Sequence, residues 1–412
     1  MNASVTVIIP VWNLWEATAN CLRSLAEHSP PDVEVVVVDN GSDDATVHEL
    51  APLGASLWGE RFCALRLPEN LGFAKACNAG ARKSAGELLF FLNNDTTLTP
   101  GWLPPLVAAF DAKSLGAAGP LLLYPDGTVQ HCGIAFTPFC QVCHIYEHFP
   151  GTHPLLQKKR VLQAITGAAF MVRRRLFLES GGFFEEYRNG LEDVDFCFAL
   201  RDAGYRLDIV GESRITHHTS RTPGRFDHEV PNSRLFYSRW LRKITPDLHL
   251  LGKSDGYVLE LGDTLNCWLT LNVEAKANLE MLAGASGFSR EDCFCQLERE
   301  PLWREGWLRL MDWQEGDGDL AGALATCQRM LYFFPAPDMY GRMLRLLRKA
   351  GMLEQMTQLM QGIRIDMESA SPAQREEKVR LARNKAATDK DSLLLTVFDD
   401  WLARYAGQVS NA

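Results

Sequence analysis

Four short, strand-like and mainly apolar runs, at 6–10, 33–38, 62–67 and 88–92, punctuate the first hundred positions, and amphipathic stretches at 16–28, 43–50 and 73–84 separate them. A strand that is apolar on both sides has to be covered on both sides, so this alternation predicts parallel strands inside an α/β sheet. Beyond it the pattern changes. Residues 121–129 read as a hairpin turning at Pro125-Asp126-Gly127, further strands are expected at 162–165 and 206–210, and a helix at 191–203, so the central sheet is expected to be mixed. In such sheets ligands bind beyond the carboxyl ends of the strands, which directs attention to Asn13 and to residues 39–44, 68–72 and 93–95.

Near residue 250 the character of the chain shifts. Only four of its 20 prolines follow that point, whereas nine of its 11 methionines do. Breaks between Lys243 and Gly256 place a boundary there, giving an α/β domain over 1–250 and an all-α helical domain over 251–412. Two helix starts, at Gly318 and Gly351, lie 33 residues apart, a spacing similar to tetratricopeptide helical hairpins and equally compatible with an ordinary bundle.

Composition narrows the class of function. A chain of 412 residues with 23% charged residues and net charge −9 is neither disordered nor a general nucleic-acid binder. No apolar run reaches the roughly 18 residues that span a bilayer. The start lacks a basic segment followed by an apolar stretch, and 11 scattered cysteines read as reduced thiols, so a cytoplasmic location is expected, with peripheral membrane contact left open.

Four constellations carry chemistry. The apolar run 35–38 delivers Asp39 to a Gly41 turn, where a carboxylate can accept from a base N–H or a ribose hydroxyl, while Asp43 and Asp44 read as helix caps. The run 88–92 ends in Asn93-Asn94-Asp95, and Asp95 can serve as an oxygen ligand for Mg2+ or Mn2+. Glu192, Asp193 and Asp195 crowd a helix start after Gly190, an arrangement expected to raise a carboxylate pKa toward that of a general base. His217 and His218 follow the strand at 206–210 and offer a second metal ligand.

Taken in order, residues 7–13, 38–44, 69–80, 93–95, 167–170, 181–183 and 192–193 resemble the family 2 glycosyltransferases of GT-A fold, over roughly the first 240 residues. The resemblance implies an inverting, metal-dependent transfer from a UDP- or dTDP-linked sugar to a glycan, lipid-linked or protein acceptor. It implies that Asp39, Pro10, Asn13, Gly72, Phe73, Lys75, Asn78 and Asn94 form the nucleotide pocket, that Asp95 with His217 holds Mn2+ or Mg2+, and that Asp193, paired with Glu192, is the catalytic base. Asn93 stands where the family's Asp-x-Asp element begins with Asp, a form shared with related rhamnosyltransferases and expected to lower metal affinity. That substitution is what a catalytically silent nucleotide-sugar scaffold, acting through its helical domain, would show; the retained Glu192-Asp193 pair speaks for catalysis.

Two signals stand apart. Cys132, Cys140, Cys143, His144 and His148 are dense enough for a zinc site, though plain thiols in an acceptor-side loop fit as well, and the haem-attachment pattern of 140–144 is set aside for want of an export signal. Residues 214–243 carry seven basic residues against two acidic; a solvated face is the default, with Arg221 or Arg225 expected at a phosphate, and Phe236, Tyr237 and Trp240 expected to pack against the sheet.

Overall fold

Leu88–Leu92 is buried at all five positions, as a strand apolar on both faces must be, and it lies at the centre of the sheet. The computed structural model describes residues 3–219, 228–368 and 370–406. Its contacts divide the chain into two units, residues 1–135 with 142–245, and residues 136–141 with 246–412.

In the first unit the strands are β1 (Val5–Val11), β2 (Glu34–Asp39), β3 (Phe62–Arg66), β4 (Leu88–Leu92), β5 (Thr96–Leu98), β6 (Leu115–Leu123), β7 (Val129–His131), β8 (Ile134–Phe136), β9 (Val142–His144), β10 (Ala169–Arg173) and β11 (Arg206–His217). The helices are α1 (Trp15–His28), α2 (Thr46–Trp58), α3 (Phe73–Lys83), α4 (Leu103–Ala109), α5 (Arg174–Glu179), α6 (Glu192–Asp202) and α7 (Glu229–Trp240). Nine strands form one sheet in the order β3-β2-β1-β4-β10-β6-β11-β5, with β7 beside β6. β1 to β4 run parallel, β10 runs antiparallel to both β4 and β6, and β11 is parallel to β6. This is the mixed α/β sheet expected of a GT-A domain. The chain leaves β1 toward β2 on one side and β4 on the other, so the crevice at their carboxyl ends is a topological switch point.

Two strand assignments differ from the sequence pattern. Residues 162–165 make only an isolated bridge, Ala164 to Ile134, and the strand lies further on, at β10. Both segments are apolar and buried, but only 169–173 can register between β4 and β6, with Leu92 opposite Ala169 and Ala118 opposite Met171. β11 also runs on past residue 210 to His217, through a break in register with β6 between Val210 and Arg214. That extension carries His217 to the site, and it pairs with Thr96 of β5.

The second unit is mostly helical: α8 (Leu248–Ser254), then α9 (Val273–Ala283), α10 (Arg290–Arg299), α11 (Arg304–Gly316), α12 (Leu320–Phe333), α13 (Pro337–Lys349), α14 (Leu353–Glu368), α15 (Pro372–Thr388) and α16 (Ser392–Tyr405). It also holds a hairpin that the composition concealed, β12 (Tyr257–Leu261) paired with β13 (Cys267–Leu271). Gly318 and Gly351 occupy matching left-handed positions (φ +78° and +70°) after α11 and α13, which is why helix ends recur there. Among the described residues no helix is long and apolar enough to cross a membrane.

Candidate active site

Three backbone hydrogen bonds assemble the site from distant parts of the sequence. The Asn40 amide donates to Val11 O (2.7 Å), the Asn93 amide to Ala168 O (2.9 Å), and the His218 amide to Asp95 O (2.9 Å), so the ends of β1, β2, β4 and β11 and the start of β10 converge. They enclose a cleft of about 320 Å3 whose lining runs from Pro10, Trp12, Asn40, Asn70 and Phe73, past Asn93, Asn94 and Asp95, to His144, Thr166, Gly167, Glu192 and Asp193.

At its middle, Asp95 Oδ1 lies 3.0 Å from His217 Nε2, both residues buried. The other ring nitrogen, Nδ1, faces Gln130 Oε1 at 2.5 Å, and Gln130 Nε2 donates to His217 O, which orients the amide with its oxygen toward the ring. In the neutral imidazole the proton therefore sits on Nδ1 and the lone pair on Nε2, beside the carboxylate. A carboxylate oxygen and an imidazole nitrogen side by side, the latter oriented by an outer amide, fit Mn2+ or Mg2+ completed by diphosphate oxygens. Asn93 Nδ2 lies 3.4 Å from the same Nε2 and contributes no carboxylate. Among the described residues, no three His, Cys, Asp or Glu side chains group as a metal site.

At the far end, Asp193 Oδ2 accepts from the Gly167 amide at 2.5 Å and Oδ1 from the Val194 amide at 2.8 Å. A Cβ on Gly167 would lie 3.0 Å from that of Asp193, so only glycine allows this approach comfortably. Glu192, buried, accepts from the Gly190 amide at 2.7 Å. The turn before α6 has positive φ at Asn189 (56°), Gly190 (147°) and Leu191 (71°), a strained run of the kind found where a helix start is aimed at a ligand. Buried Asn232 of α7 holds it, donating to Arg188 O (2.9 Å) and Gly190 O (3.0 Å).

The expected crowding of three carboxylates is corrected by this geometry. Asp195 faces away from the cleft and accepts from Arg239 Nε (2.6 Å), Trp240 Nε1 (2.6 Å) and Tyr187 Oη (3.0 Å). Its charge is answered by Arg239, and burial together with Asp195 pushes the Tyr187 phenol well up from its usual value. Asp193 and Glu192 are both held by backbone amides, whereas Asp195 is held by side chains.

Pro10, Phe73, Asn94 and Asp95 line the cleft with Glu192 and Asp193. Asn13, Asp39, Gly72, Lys75 and Asn78 are not part of that lining. Asp39 lies buried behind it, bonded to the Ser42 amide (2.8 Å) and to the Arg66 guanidinium. Asn13, in the left-handed region, ties the first two loops together by accepting from the Asp43 amide (2.8 Å), while Gly72 O receives Asn40 Nδ2 (3.3 Å). The Asn78 amide is engaged by Phe183 and Glu185. Lining residues that the sequence did not single out include Trp12, Asn40, Asn70, His144 and Thr166; the first three stand within the quoted motifs.

The cysteine- and histidine-rich loop does not gather into a zinc site. His144 turns Nδ1 to His131 Nδ1 at 2.8 Å, the His148 ring stacks on Tyr124, and Cys143 Sγ reaches Ala135 O. Of the basic stretch, Arg239 serves Asp195 and Lys243 serves Asp202, while Arg221 and Arg225 lie outside the described residues. Phe236 is buried against Phe198.

Residues 6–181, within the first unit, match the model of Glycosyl transferase family 2. Among curated proteins, the O-antigen biosynthesis protein RfbC of Myxococcus xanthus is 31% identical over 225 residues, covering 52% of this chain and 17% of that protein. The uncharacterized protein y4gI of Sinorhizobium fredii is 29% identical, covering 57% of this chain and 26% of that protein. The N-acetylglucosaminyl-diphospho-decaprenol L-rhamnosyltransferase of Mycobacterium tuberculosis is 29% identical, covering 50% and 72%. The chain thus spans about a quarter or less of the first two relatives.

Proposed function

We propose that the first unit transfers a hexose from a nucleotide-diphosphate sugar to an acceptor hydroxyl with inversion at the anomeric carbon, in bacterial glycan assembly. The observation that carries this reading is the single cleft lined by both Asp95 and Asp193, one beside an oriented imidazole and the other held by two backbone amides. Asp95 and His217 would hold Mn2+ or Mg2+, which supplies charge neutralisation for the departing diphosphate when bound. Asp193 accepts the proton of the acceptor hydroxyl as its oxygen bonds to the anomeric carbon and the bond to the diphosphate breaks. Each oxygen of Asp193 keeps a lone pair for that proton, because a carboxylate oxygen can accept more than the one amide bond seen here.

Pro10, Trp12, Asn40, Asn70 and Phe73 form the end suited to the nucleotide. Asp39 supports that end from behind through Asn40 and the Arg66 pair. The names of RfbC and the mycobacterial rhamnosyltransferase support a lipid-linked or polysaccharide glycan as acceptor; a UDP- or dTDP-linked donor is what the sequence resemblance implies. The scattered cysteines support a reducing, cytoplasmic setting.

Asp193→Asn keeps the shape of the side chain and one of its two amide contacts, since its NH2 group cannot accept, and removes the base. Transfer or donor hydrolysis is expected to fall about a thousandfold, within the usual range for a general base. Calorimetric binding of the donor is expected to persist. Retained turnover would remove the assignment. Undiminished binding by a wild-type chain that never turns over would instead favour a silent scaffold, the reading to which Asn93, facing His217 with an amide, lends support.

A further inference from the structure

His131 and His144 sit 13 residues apart, on β7 and β9, with their Nδ1 atoms 2.8 Å apart and their rings nearly perpendicular. His131 is buried, and its other nitrogen, Nε2, accepts from the Thr166 backbone amide at 3.2 Å. A backbone N–H can only donate, so His131 Nε2 carries a lone pair and, in the neutral ring, the proton is on Nδ1. Burial, with His144 and His217 near, holds His131 well below the usual histidine range, in agreement with the neutral form. His131 Nδ1–H then donates to His144 Nδ1, and the proton of His144 is left on Nε2. One backbone donor thereby sets the tautomers of two rings in series.

The second ring lines the cleft, together with Thr166, Gly167 and Asp193. Successive amides of one short segment serve the two sides: Thr166 N–H goes to His131, and Gly167 N–H goes to Asp193. His144 and Asp193 are thus registered to each other through a single peptide unit, and Asn93, beside the proposed metal ligands, is bonded to the next residue, Ala168. His144, Asp95 and Asp193 all line the same cleft.

We propose that His144 Nε2–H donates to a hydroxyl oxygen of the transferred sugar, and that His131 is the positioning residue that keeps the proton on that nitrogen. The proposal rests on the glycosyltransferase reading and goes beyond it by assigning a sugar-recognising residue on the loop that looked like a zinc site. A neutral imidazole N–H suits an uncharged sugar hydroxyl, where a lysine or arginine would draw the diphosphate out of register.

The test uses the full-length chain with Mn2+ and compares calorimetric affinity for UDP and dTDP with that for their hexose conjugates. In His144→Ala the bare nucleotides are expected to bind within about twofold of wild type, which also reports correct folding. The conjugate that wild type prefers is expected to lose about five- to tenfold, one neutral hydrogen bond's worth. His144→Gln, whose amide N–H falls near the position of Nε2, should recover part of the loss. His131→Ala should reproduce it, and His131→Asn, which keeps a donor at the Nδ1 position, should restore it. Conjugate affinity unchanged in His144→Ala, or lost in parallel with the bare nucleotides, would overturn the proposal. A wild-type chain that binds neither nucleotides nor conjugates would overturn the transferase reading itself, and this inference with it.

Discussion

Asp193 and Asp195 differ by two positions and by everything that surrounds them. One accepts two backbone amides at the cleft; the other is enclosed by Arg239, Trp240 and Tyr187. The sequence shows an acidic helix start and no more, because the groups that answer Asp195 lie on a helix more than forty residues later, or, for Tyr187, on the preceding loop. Removing Asp195 leaves Arg239, the buried Tyr187 hydroxyl and the half-buried Trp240 ring N–H without their acceptor. Asp195→Ala is expected to cost about 3 kcal/mol, the low end for a broken buried pair because Arg239 is partly exposed. Urea titration checks this, and an unchanged midpoint would contradict the structural role assigned to Asp195. Asp95 was legible for the opposite reason: a wholly apolar strand ending in an acid is a local pattern, and the strand is central in fact. The place of His144 in the cleft is not legible in the sequence, because its defining partner is another histidine on a different strand and the neighbouring cysteines supply only an ambiguous local pattern.

At the level of elements, the parallel half of the sheet could be read directly, since β1 to β4 each bring an unbroken apolar run bounded by helices. The antiparallel β10 could not, because an apolar run at 162–165 competes with it and only pairing with β4 and β6 decides between them. The hairpin of β12 and β13 was hidden for a compositional reason: it is short and lies within a stretch whose residue usage is helical. Helix starts carry their own chemistry. Asp391 caps α16, accepting from the Leu393 and Leu394 amides at 3.1 and 3.0 Å, and it also bonds His249 Nε2 of α8 at 2.7 Å.

Burial pushes His249 below the usual histidine value of 6.5 despite Asp391. Burial alone would raise Asp391, but the helix amides and His249 outweigh it and hold the carboxyl below 3.8. The unfolded chain therefore binds more protons at His249 once the pH drops under about 6.5, and stability falls from there toward the lower folded value; the Asp391 contribution is lost only below 3.8. Thermal melts should show a lower midpoint at pH 5 than at pH 7.5, with a shallower dependence in His249→Gln. An equal dependence in the two chains would refute the assignment.

For the molecule as a whole, the family match covers residues 6–181, within the first unit, and the relatives align over about half of the chain. In the function proposed for the first unit, Asp95 and His217 would hold a divalent cation, and with it a nucleoside diphosphate, in the cleft that Asp193 lines. A ligand bound only by the native state raises apparent stability, by about 2.7 kcal/mol at a hundred times its dissociation constant. The most direct measurement is a thermal-shift titration of the full chain with UDP and dTDP, with Mn2+ or with EDTA, in wild type and in Asp95→Asn. The account predicts a nucleotide-dependent rise in melting temperature for wild type with Mn2+, abolished by EDTA and by Asp95→Asn. A wild-type chain whose melting temperature is indifferent to either nucleotide with metal present would contradict it.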